Sequence, residues 1–422
     1  MTRPAGGLRA RYVVAAGRLV LLGGLVRLAG ACASGAHGSG AEVAPTASSP
    51  SQSADSAGRI AATPPDRDYR VFVASEGNDR IALVRYGPRG IAVERERKIG
   101  SNPTELAGPH GLYVSPDGRW YYVSTAHGTP NGALWKFSTE TGEQAGRVEL
   151  GRFPATVQVA PGGHYAWVVN FNLYGAMVPS SVSVVYTDDM VEVRRIPTCV
   201  MPHGSRLSPD GRRQYSACMM NDELVEIDAD SMAVARRFYL KPGAEHAMSG
   251  PAGSMAGAGG TNGHDMGPPK PGDVGCSPTW AQPSTDGRTL WVACNKANDI
   301  AEIDVASWAL RRRIPAGEGI YNLAASPDGR LVVGTNKKGK SVSVIDAATG
   351  KELARVPTTR RVPSGLVISP DSRYAFVTQE GVGAEPGAVD VIDLRALARV
   401  ASVDVGQQAG GIDFWKSEAA GR

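Results

Sequence analysis

The stretch Gly111-Leu-Tyr-Val-Ser-Pro-Asp-Gly-Arg-Trp-Tyr-Tyr-Val-Ser-Thr125 decides the fold. A Ser-Pro-Asp-Gly turn lies between two runs of residues. Apolar residues alternate with others in the first run and follow one another in the second. In such a turn proline presets the backbone, aspartate bonds an amide two residues on, and glycine accepts a positive φ. The stretch therefore predicts a β-hairpin with a tight turn.

Variants of this turn occur six times along the chain. They begin at Ser115, Ala160, Ser208, Ser284, Ser326 and Ser369. Successive copies lie 45, 48, 76, 42 and 43 residues apart, a period typical of folds in which each repeat is one small antiparallel sheet. The 76-residue step contains a Gly-, Pro- and Met-rich stretch at about 241–275, which predicts one inserted loop.

Each hairpin is followed by two more strand-like runs, as at 341–346 and 351–356, so we expect four strands per repeat. The segment 69–74 resembles a second strand without a first, and 409–414 resembles a first strand. We therefore predict an all-β fold, a seven-bladed β-propeller of four-stranded antiparallel blades at 67–417. Its ring is closed by a C-terminal strand that joins the N-terminal blade and leaves no open sheet edge. Residues 418–422 form a tail.

These repeats resemble those of the YVTN, or YncE-like, family of seven-bladed β-propellers over about residues 69–415. The resemblance is carried by the repeated turns and by the second strands after them. Those strands are Tyr121-Tyr-Val-Ser-Thr125, Trp167-Val-Val-Asn170, Trp291-Val-Ala-Cys294, Val332-Val-Gly-Thr-Asn336 and Phe376-Val-Thr378. It implies the propeller fold. It selects no single activity, because this family and its relatives include binding proteins, lactonases and haem or quinone oxidoreductases.

The N-terminal residues 1–31 have the pattern of an export signal, with arginines at the start and a mostly apolar run at 12–31. Ala29-Gly30-Ala31-Cys32 resembles a bacterial lipoprotein cleavage box, so we expect lipidation of Cys32. Cleavage after Ala31 without a lipid is the alternative. Either way the protein is expected to be exported, to the periplasm or as a lipoprotein anchored to the outer membrane.

The segment 32–66 is rich in Ser, Ala, Gly and Pro and has few large apolar residues, so we expect a flexible tether. The formal net charge of +4 is small for 422 residues. No basic stripe with interleaved aromatic residues is present, which disfavours nucleic acid as a partner. We expect a monomer that reaches the membrane only through its lipid and binds an envelope protein or a small polar ligand.

The four remaining cysteines fall at equivalent positions in two adjacent repeats. Cys199 and Cys276 come just before first strands, and Cys218 and Cys294 end second strands. Since the start of one strand of a hairpin lies beside the end of the next, Cys199–Cys218 and Cys276–Cys294 are predicted disulfides in an oxidising compartment. The alternative is that all four thiolates bind one soft metal ion.

Polar residues that precede first strands or follow second strands are expected to meet at one mouth of the ring. His110 and His203 occupy identical positions, each in Pro-His-Gly. His127, Met219 and Met220 follow second strands and complete the predicted site. Imidazole with thioether or thiolate suits copper, and imidazole also suits haem iron. The alternatives are that these histidines bond backbone carbonyls, or that His110, His203 and Glu380 act as acid or base groups.

The inserted loop adds a second set of histidines and methionines in Gly- and Pro-rich sequence. These candidate metal ligands are His246, Met248, Met255, His264 and Met266. A loop of this length is functional or disordered more often than a short connection is, and it could cover the mouth. Four asparagines at strand ends are candidates for binding a polar ligand or for capping strands. They are Asn170, Asn172, Asn295 and Asn336.

Several enzyme motifs are missing from the sequence, including Cys-x-x-Cys-His for covalent haem c, Gly-x-Ser-x-Gly and His-Glu-x-x-His. No catalytic residues are predicted, and the cofactor is unknown, with copper as a candidate. We therefore expect a binding or interaction scaffold in the cell envelope rather than an enzyme. The alternative function is a lactonase or a haem or quinone oxidoreductase that uses polar residues at the mouth.

Overall fold

The computed structural model describes residues 62–100, 104–127, 131–248 and 274–420. These residues form seven antiparallel sheets arranged as a ring, which confirms the predicted all-β propeller. The one helical element among them is a single 3₁₀ turn at Glu76–Asn78. No helix in these ranges is long and apolar enough to span a membrane.

The blades follow the chain order, and the strands of each blade pair with their neighbours in sequence. The chain opens with β1 (Arg67–Ser75), β2 (Arg80–Gly87) and β3 (Gly90–Lys98). Blade 1 has β4 (Pro109–Val114), β5 (Trp120–Thr125), β6 (Ala133–Ser138) and β7 (Gln144–Glu149). Blade 2 has β8 (Pro154–Val159), β9 (Tyr165–Asn170), β10 (Pro179–Tyr186) and β11 (Val191–Val200). Blade 3 has β12 (Pro202–Leu207), β13 (Arg213–Cys218), β14 (Glu223–Asp228), β15 (Ala233–Tyr239) and β16 (His246–Met248).

The second half of the ring repeats the same order. Blade 4 has β17 (Pro278–Pro283), β18 (Thr289–Cys294), β19 (Asp299–Asp304) and β20 (Ala309–Pro315). Blade 5 has β21 (Ile320–Ala325), β22 (Leu331–Asn336), β23 (Ser341–Asp346) and β24 (Glu352–Pro357). Blade 6 has β25 (Pro363–Ile368), β26 (Tyr374–Gln379), β27 (Gly387–Asp393) and β28 (Ala398–Val405). The last strand is β29 (Ala409–Ala419).

Strand β29 closes the ring by pairing with β1, as the sequence predicts. The pairing is antiparallel and places Val71 opposite Phe414 and Val73 opposite Ile412. Blade 7 therefore has the order β29-β1-β2-β3, with its first strand drawn from the end of the chain. Both ends of the β-structure are held in one sheet, which removes the open edge that an unclosed ring would expose.

The repeated turns have the geometry that their residues favour. In the first copy the amide of Gly118 donates to the carbonyl of Ser115 over 2.8 Å, and Gly118 has φ +71°. The carboxylate of Asp117 accepts from the Ser115 hydroxyl and from the Arg119 amide, at 2.5 and 3.1 Å. The copies at Ser208, Ser284, Ser326 and Ser369 repeat both aspartate contacts.

The core of the ring is divided among its blade interfaces. Seven apolar clusters each combine residues of two neighbouring blades, one cluster for each of the seven interfaces. Between blades 6 and 7, for example, Tyr374 meets Tyr69 and Tyr86 edge to face at 5.2 and 5.1 Å. Because every blade buries both of its faces against neighbours, the ring needs no cofactor to complete its core.

Both predicted disulfides are present. Cys199 bonds Cys218 and Cys276 bonds Cys294, with Cα atoms 5.9 and 4.5 Å apart. Cys199 lies in β11, near its end, so the first bond ties the last strand of blade 2 to the second strand of blade 3. With all four sulfurs paired, the alternative of a four-thiolate metal site is excluded.

Candidate functional site

The first strand of each blade is its inner strand, next to the axis of the ring. The mouth of the ring is the face where inner strands begin and second strands end. The Pro-His-Gly motif builds this face at two of the blades. The glycines of this motif allow neighbouring inner strands to approach closely. A Cβ added at Gly111 would lie 2.0 Å from the carbonyl oxygen of Ala155, and one at Gly204 would lie 2.3 Å from that of Thr279. The preceding His110 and His203 are therefore held against the next blade.

The backbone bends sharply just before every inner strand. The residue at this point has a positive φ in all seven blades: Gly108, Phe153, Met201, Ser277, Gly319, Val362 and Gln408. This conformation is uncommon for residues other than glycine, and for a β-branched residue such as Val362 it is an outlier. Positive φ values at residues other than glycine store backbone strain, and such strained residues cluster at functional sites.

Glu76 is the centre of the mouth at blades 7 and 1. It directly follows β1, and its carboxylate bonds two imidazoles of blade 1, His110 Nδ1 over 2.6 Å and His127 Nε2 over 2.8 Å. Burial alone would raise the pKa of Glu76, but the charges and hydrogen bonds of the two histidines hold it well below its usual range. The bond to Glu76 in turn raises the pKa of His127. Glu76 is therefore a carboxylate, and it favours protonated His127.

His203 has a different environment although it occupies the same position of the repeat. Its side chain is buried, and its Nδ1 lies 3.0 Å from the carbonyl oxygen of Thr279. Its Nε2 lies 2.9 Å from the hydroxyl of Tyr321. Burial, together with a smaller effect of the nearby His110, lowers the pKa of His203 to about 3. His203 is thus neutral, donating from Nδ1 and accepting at Nε2 from Tyr321.

A second charged pair lies at blades 5 and 6. Lys337 and Glu380 directly follow their second strands, and Lys337 Nζ lies 2.7 Å from a Glu380 carboxylate oxygen. Lys337 Nζ also lies 4.1 Å from the centre of the Tyr321 ring. Burial opposes the charge of Lys337, but Tyr321 and Glu380 outweigh it and raise its pKa. Glu380 therefore serves as the partner of a lysine.

Aromatic rings form the wall of the mouth beside His110 and His127. Phe153 contacts both imidazoles edge to face, with ring centres 5.2 and 6.0 Å apart, and it also contacts Phe171 and Tyr174. The Tyr174 side chain is 69% exposed, so the wall continues to the rim of the mouth. The predicted ligand Met219 packs against the apolar cluster that includes Phe153 and Phe171.

An axial cavity of about 50 Å³ begins beside His110 and His203 and is lined by the inner strands of all seven blades. Arg206 comes from farther along its strand than the other lining residues, which places it deeper in the ring than His110 and His203. It lies 4.5 Å from the centre of the Trp280 ring and donates to the Ser205 carbonyl over 3.0 Å. Burial lowers the pKa of Arg206.

Two residues of the cavity wall have unmet hydrogen-bonding capacity. Trp280 Nε1 and Asn322 Oδ1 are buried and have no hydrogen-bond partner among the described residues. Each such group costs about 1–3 kcal/mol when it stays unpaired. The wall of the axial cavity is therefore better matched to a polar occupant than to an apolar one.

Two of the predicted loop residues, His246 and Met248, lie away from the mouth. His246 and Met248 belong to β16, a fifth strand at the outer edge of blade 3 that the sequence did not predict. The His246 imidazole lies 2.8 Å from the Ala244 carbonyl, and both side chains are exposed. Met255, His264 and Met266 lie outside the described residues, as does Cys32.

The four asparagines at strand ends make local bonds. Asn170 and Asn336 each donate to two serines of the next strand. Asn172 and Asn295 donate to the carbonyls of Ala176 and Ile320. Their capping role was one of the two alternatives that the sequence left open.

Metal ligation was a candidate chemistry for the mouth. Within the described ranges, no group of three or more His, Cys, Asp or Glu side chains is arranged to hold a metal ion. His110 and His127 instead have a common hydrogen-bond acceptor in Glu76. Of the residues predicted for the mouth, the structure brings His110, His127 and His203 together, with the His110 and His203 rings 6.2 Å apart.

Sequence reasoning missed Glu76, Tyr321 and Arg206. A usable signal existed for Glu76, because Glu76, Lys337 and Glu380 each directly follow the second strand of their blade. Aligning these strand ends would have placed Glu76 at the mouth. Tyr321 had one too, because it lies seven residues before its turn aspartate, as His110 and His203 do. No comparable signal marked Arg206, since its importance depends on contacts with other blades.

Comparisons with known proteins support the fold. No protein-family model matches the chain, and no curated protein sequence matches it. Among solved structures, hydrazine synthase of Kuenenia stuttgartiensis is similar with a TM-score of 0.55 and 22% identity, covering 74% of this chain and 91% of that one. A functionally unknown protein of Desulfotomaculum acetoxidans has a TM-score of 0.61 and 14% identity, covering 82% and 98%.

A third similar structure is a candidate 6-phosphogluconolactonase from Bacteroides fragilis. Its TM-score is 0.59 at 14% identity, and the match covers 83% of this chain and 98% of that one. At these identities the three likenesses show a common propeller fold. They assign no function to this chain, because unrelated activities occur on one fold.

Proposed function

We propose that this chain is an exported propeller of the YVTN/YncE-like type that binds a small polar solute at the mouth of its ring. The observation that carries the proposal is the position of Glu76. A largely buried carboxylate from blade 7 fixes two imidazoles of blade 1 in one orientation. Such preformed polar groups beside an aromatic wall are typical of small-molecule sites.

The envelope location is part of the same proposal. Two disulfides within the ring support an oxidising compartment, where such bonds persist. We propose that the signal at 1–31 exports the chain and that Cys32 anchors it through the tether at 32–66. The mouth would then meet solutes or proteins of the periplasm.

Copper remains a candidate occupant of the mouth, but the contacts support it less well than a solute. Glu76 occupies Nδ1 of His110 and Nε2 of His127, so a metal at the mouth would have only the other nitrogen of each imidazole unless it displaced these bonds. Met219, the proposed thioether ligand, is in contact with the apolar cluster at Phe171. Copper is therefore included in the test as a competing outcome.

A thermal-shift panel tests the proposal. Protein purified from periplasm is heated with small carboxylates, phosphates, amines, sugar lactones or Cu²⁺, and Tm is recorded. We expect at least one solute to raise Tm in the wild type but not in Glu76→Gln or His110→Phe. His164→Ala is the matched control, because His164 pairs with Asp188 over 3.2 Å at a turn far from the mouth.

Two results of this panel would contradict the proposal. One is a Tm that no solute raises. The other is a rise that Glu76→Gln and His110→Phe leave unchanged. A rise with Cu²⁺ alone, abolished by a chelator, would identify the mouth as a metal site instead.

A second candidate function is hydrolysis of a lactone. Glu76 holds His110 at Nδ1, while Nε2 has no hydrogen-bond partner among the described residues. A carboxylate that orients an imidazole in this way is the arrangement used by general bases. Turnover of sugar lactones that His110→Gln abolishes, with Tm unchanged, would favour this enzyme. For a haem or quinone oxidoreductase we find no supporting contact in the described residues.

A further inference from the structure

We propose that the axial cavity binds the carboxylate or phosphate end of a small solute, with Arg206 as the anion-binding residue. This inference rests on the proposed function and adds to it the chemical class of the ligand. It starts from Arg206, a half-buried cation among the residues that line this cavity. Buried charges are normally paired, because removing an ion from water without a partner is costly.

Arg206 lacks such a partner among the residues that the structure describes. Its one hydrogen-bond acceptor is the Ser205 carbonyl, and no carboxylate lies at ion-pair distance from it. Other arginines of the ring differ in this respect. Arg236 stacks on Trp308 at 4.0 Å, much as Arg206 stacks on Trp280, but it also bonds both carboxylate oxygens of Glu226 at 3.0 and 2.8 Å.

The acidic group that interacts with Arg206 through its charge, Asp413, has a hydrogen bond directed elsewhere. Asp413 accepts from the amide of Val114 over 2.7 Å, and burial raises its pKa to about 6. Asp413 is thus mostly ionised at pH 7 and attracts Arg206 through its charge, but no hydrogen bond joins the two side chains among the described residues. The guanidinium keeps donors for an oxyanion, for which its planar fork is well suited.

The rest of the wall fits the same ligand. Trp280 Nε1 is a buried donor without a partner among the described residues, and it suits an oxyanion, whereas the unpaired Asn322 Oδ1 of the same wall is an acceptor and suits the protonated oxygen of an acid phosphate or a water. Since one water needs about 10–15 Å³ of cavity volume, the cavity of about 50 Å³ accepts a group of about three to five non-hydrogen atoms. Acetate and orthophosphate have this size.

His110 links the cavity to the mouth, because it lines the cavity and also bonds Glu76. A solute whose acidic end lies on Arg206 would therefore place its remaining atoms beside His110 and the aromatic wall. Cavity and mouth together form one site, with the anionic end of the ligand innermost.

The experiment follows the indole N–H signal of Trp280 by NMR in the full exported chain, labelled with ¹⁵N and assigned through Trp280→Phe. The probes are sodium acetate and orthophosphate, with acetamide as the neutral match for acetate. Ionic strength is kept constant, because salt screens charge attraction. We expect a saturable shift with one or both anions and none with acetamide, and the stronger of the two identifies a carboxylate or a phosphate ligand.

Variants of Arg206 then test whether its guanidinium is the group that binds the anion. Arg206→Met should weaken binding by about tenfold or more, Arg206→Lys should weaken it less, and the matched control Arg236→Met should leave it unchanged. The inference is overturned if neither anion gives a saturable shift, if acetamide gives the same shift, or if folded Arg206→Met binds as wild type does. The acetate and acetamide comparison uses wild type, so it decides the matter even if Arg206→Met does not fold.

The two proposals fail in different ways. If the Tm panel shows binding that depends on His110 while the anions leave Trp280 unchanged, the mouth binds a solute and the role of Arg206 is wrong. If neither assay responds, the proposed function itself is wrong.

Discussion

The two Pro-His-Gly sites of the mouth place an imidazole at the same position and give it opposite properties. His110, together with His127, faces a carboxylate, and the His127 side chain is 36% exposed. His203 is 3% exposed and faces a carbonyl and a hydroxyl. One side of the mouth is charged and in contact with water, and the other is neutral and part of the core.

The difference originates in the partners from other blades rather than in the motif. Glu76 comes from blade 7, whereas Thr279 and Tyr321 come from blades 4 and 5. The neutral side is also covalently tied, since Cys199–Cys218 and Cys276–Cys294 flank the inner strands of blades 3 and 4. A repeat motif thus fixes where a side chain lies, and the neighbouring blades determine its protonation.

Replacing His203 should have the largest effect on stability. His203→Ala leaves a void and removes the partners of Thr279 and Tyr321, so we expect the free energy of unfolding to fall by about 3–4 kcal/mol. His110→Ala, at the equivalent and partly exposed position of blade 1, should cost about 1 kcal/mol. Urea unfolding at pH 7 measures both. Equal losses would mean that the two sites do not differ in packing.

Removing a disulfide should have the next largest effect. The Cys199→Ala/Cys218→Ala double variant frees a link across 19 residues, and we expect a loss of about 2–3 kcal/mol in the free energy of unfolding. The measurement is urea unfolding in non-reducing buffer. An unchanged midpoint of unfolding would show that the Cys199–Cys218 bond does not stabilise the protein.

Replacing Glu76 should cost less, because its partners are partly exposed. Glu76→Gln keeps the shape of the side chain and removes its charge, so we expect a loss of about 1 kcal/mol. The control is His164→Ala, an exposed imidazole paired with Asp188 at the other end of blade 2, with an expected change within about 0.5 kcal/mol. A larger loss in the control would contradict this ranking.

The pH dependence of stability should separate the two sides by sign. The pKa of His203 is lowered, so its unfolded form binds the extra proton and its stability contribution is lost as pH falls from about 6.5 toward about 3. The pKa of His127 is raised, so its contribution is complete below about 6.5 and is lost as pH rises through the folded value. The lowered pKa of Glu76 makes its contribution complete above about 4.5 and lost as pH falls further.

Because the contributions of His203 and His127 to stability depend on pH in opposite directions, replacing each histidine should change a different arm of the Tm–pH curve. Relative to wild type, His203→Gln should flatten the acidic arm of a Tm–pH curve, and His127→Gln should flatten the arm above pH 6.5. The opposite assignment of the two arms would show that the protonation states are reversed.

The fold could be predicted from sequence because its signals are local and repeated. The Ser115–Gly118 turn and its copies specify hairpins through their own side chains, and the ring follows from their number. The disulfides followed from matching positions in adjacent repeats. The fifth strand at His246–Met248 was missed, because it pairs with β15 within a stretch whose composition indicates a loop.

The site could be predicted only in part, because its chemistry depends on contacts between blades. The histidines were found from their repeated position. Their partners were not, since Glu76 and His127 are 51 residues apart and Tyr321 and His203 are 118 apart. Arg206 gave no local signal either, and its significance depends on a cavity that exists only when the ring is closed.

The most direct test of this account is an NMR pH titration of the histidine side chains in wild type and Glu76→Gln. Partners from neighbouring blades set the protonation state of each imidazole at the mouth. The account predicts that His127 titrates above pH 6.5 in wild type and returns toward 6.5 in Glu76→Gln, while His203 stays neutral down to about pH 4 in both. A single pKa near 6.5 for both histidines, unchanged by the substitution, would contradict it.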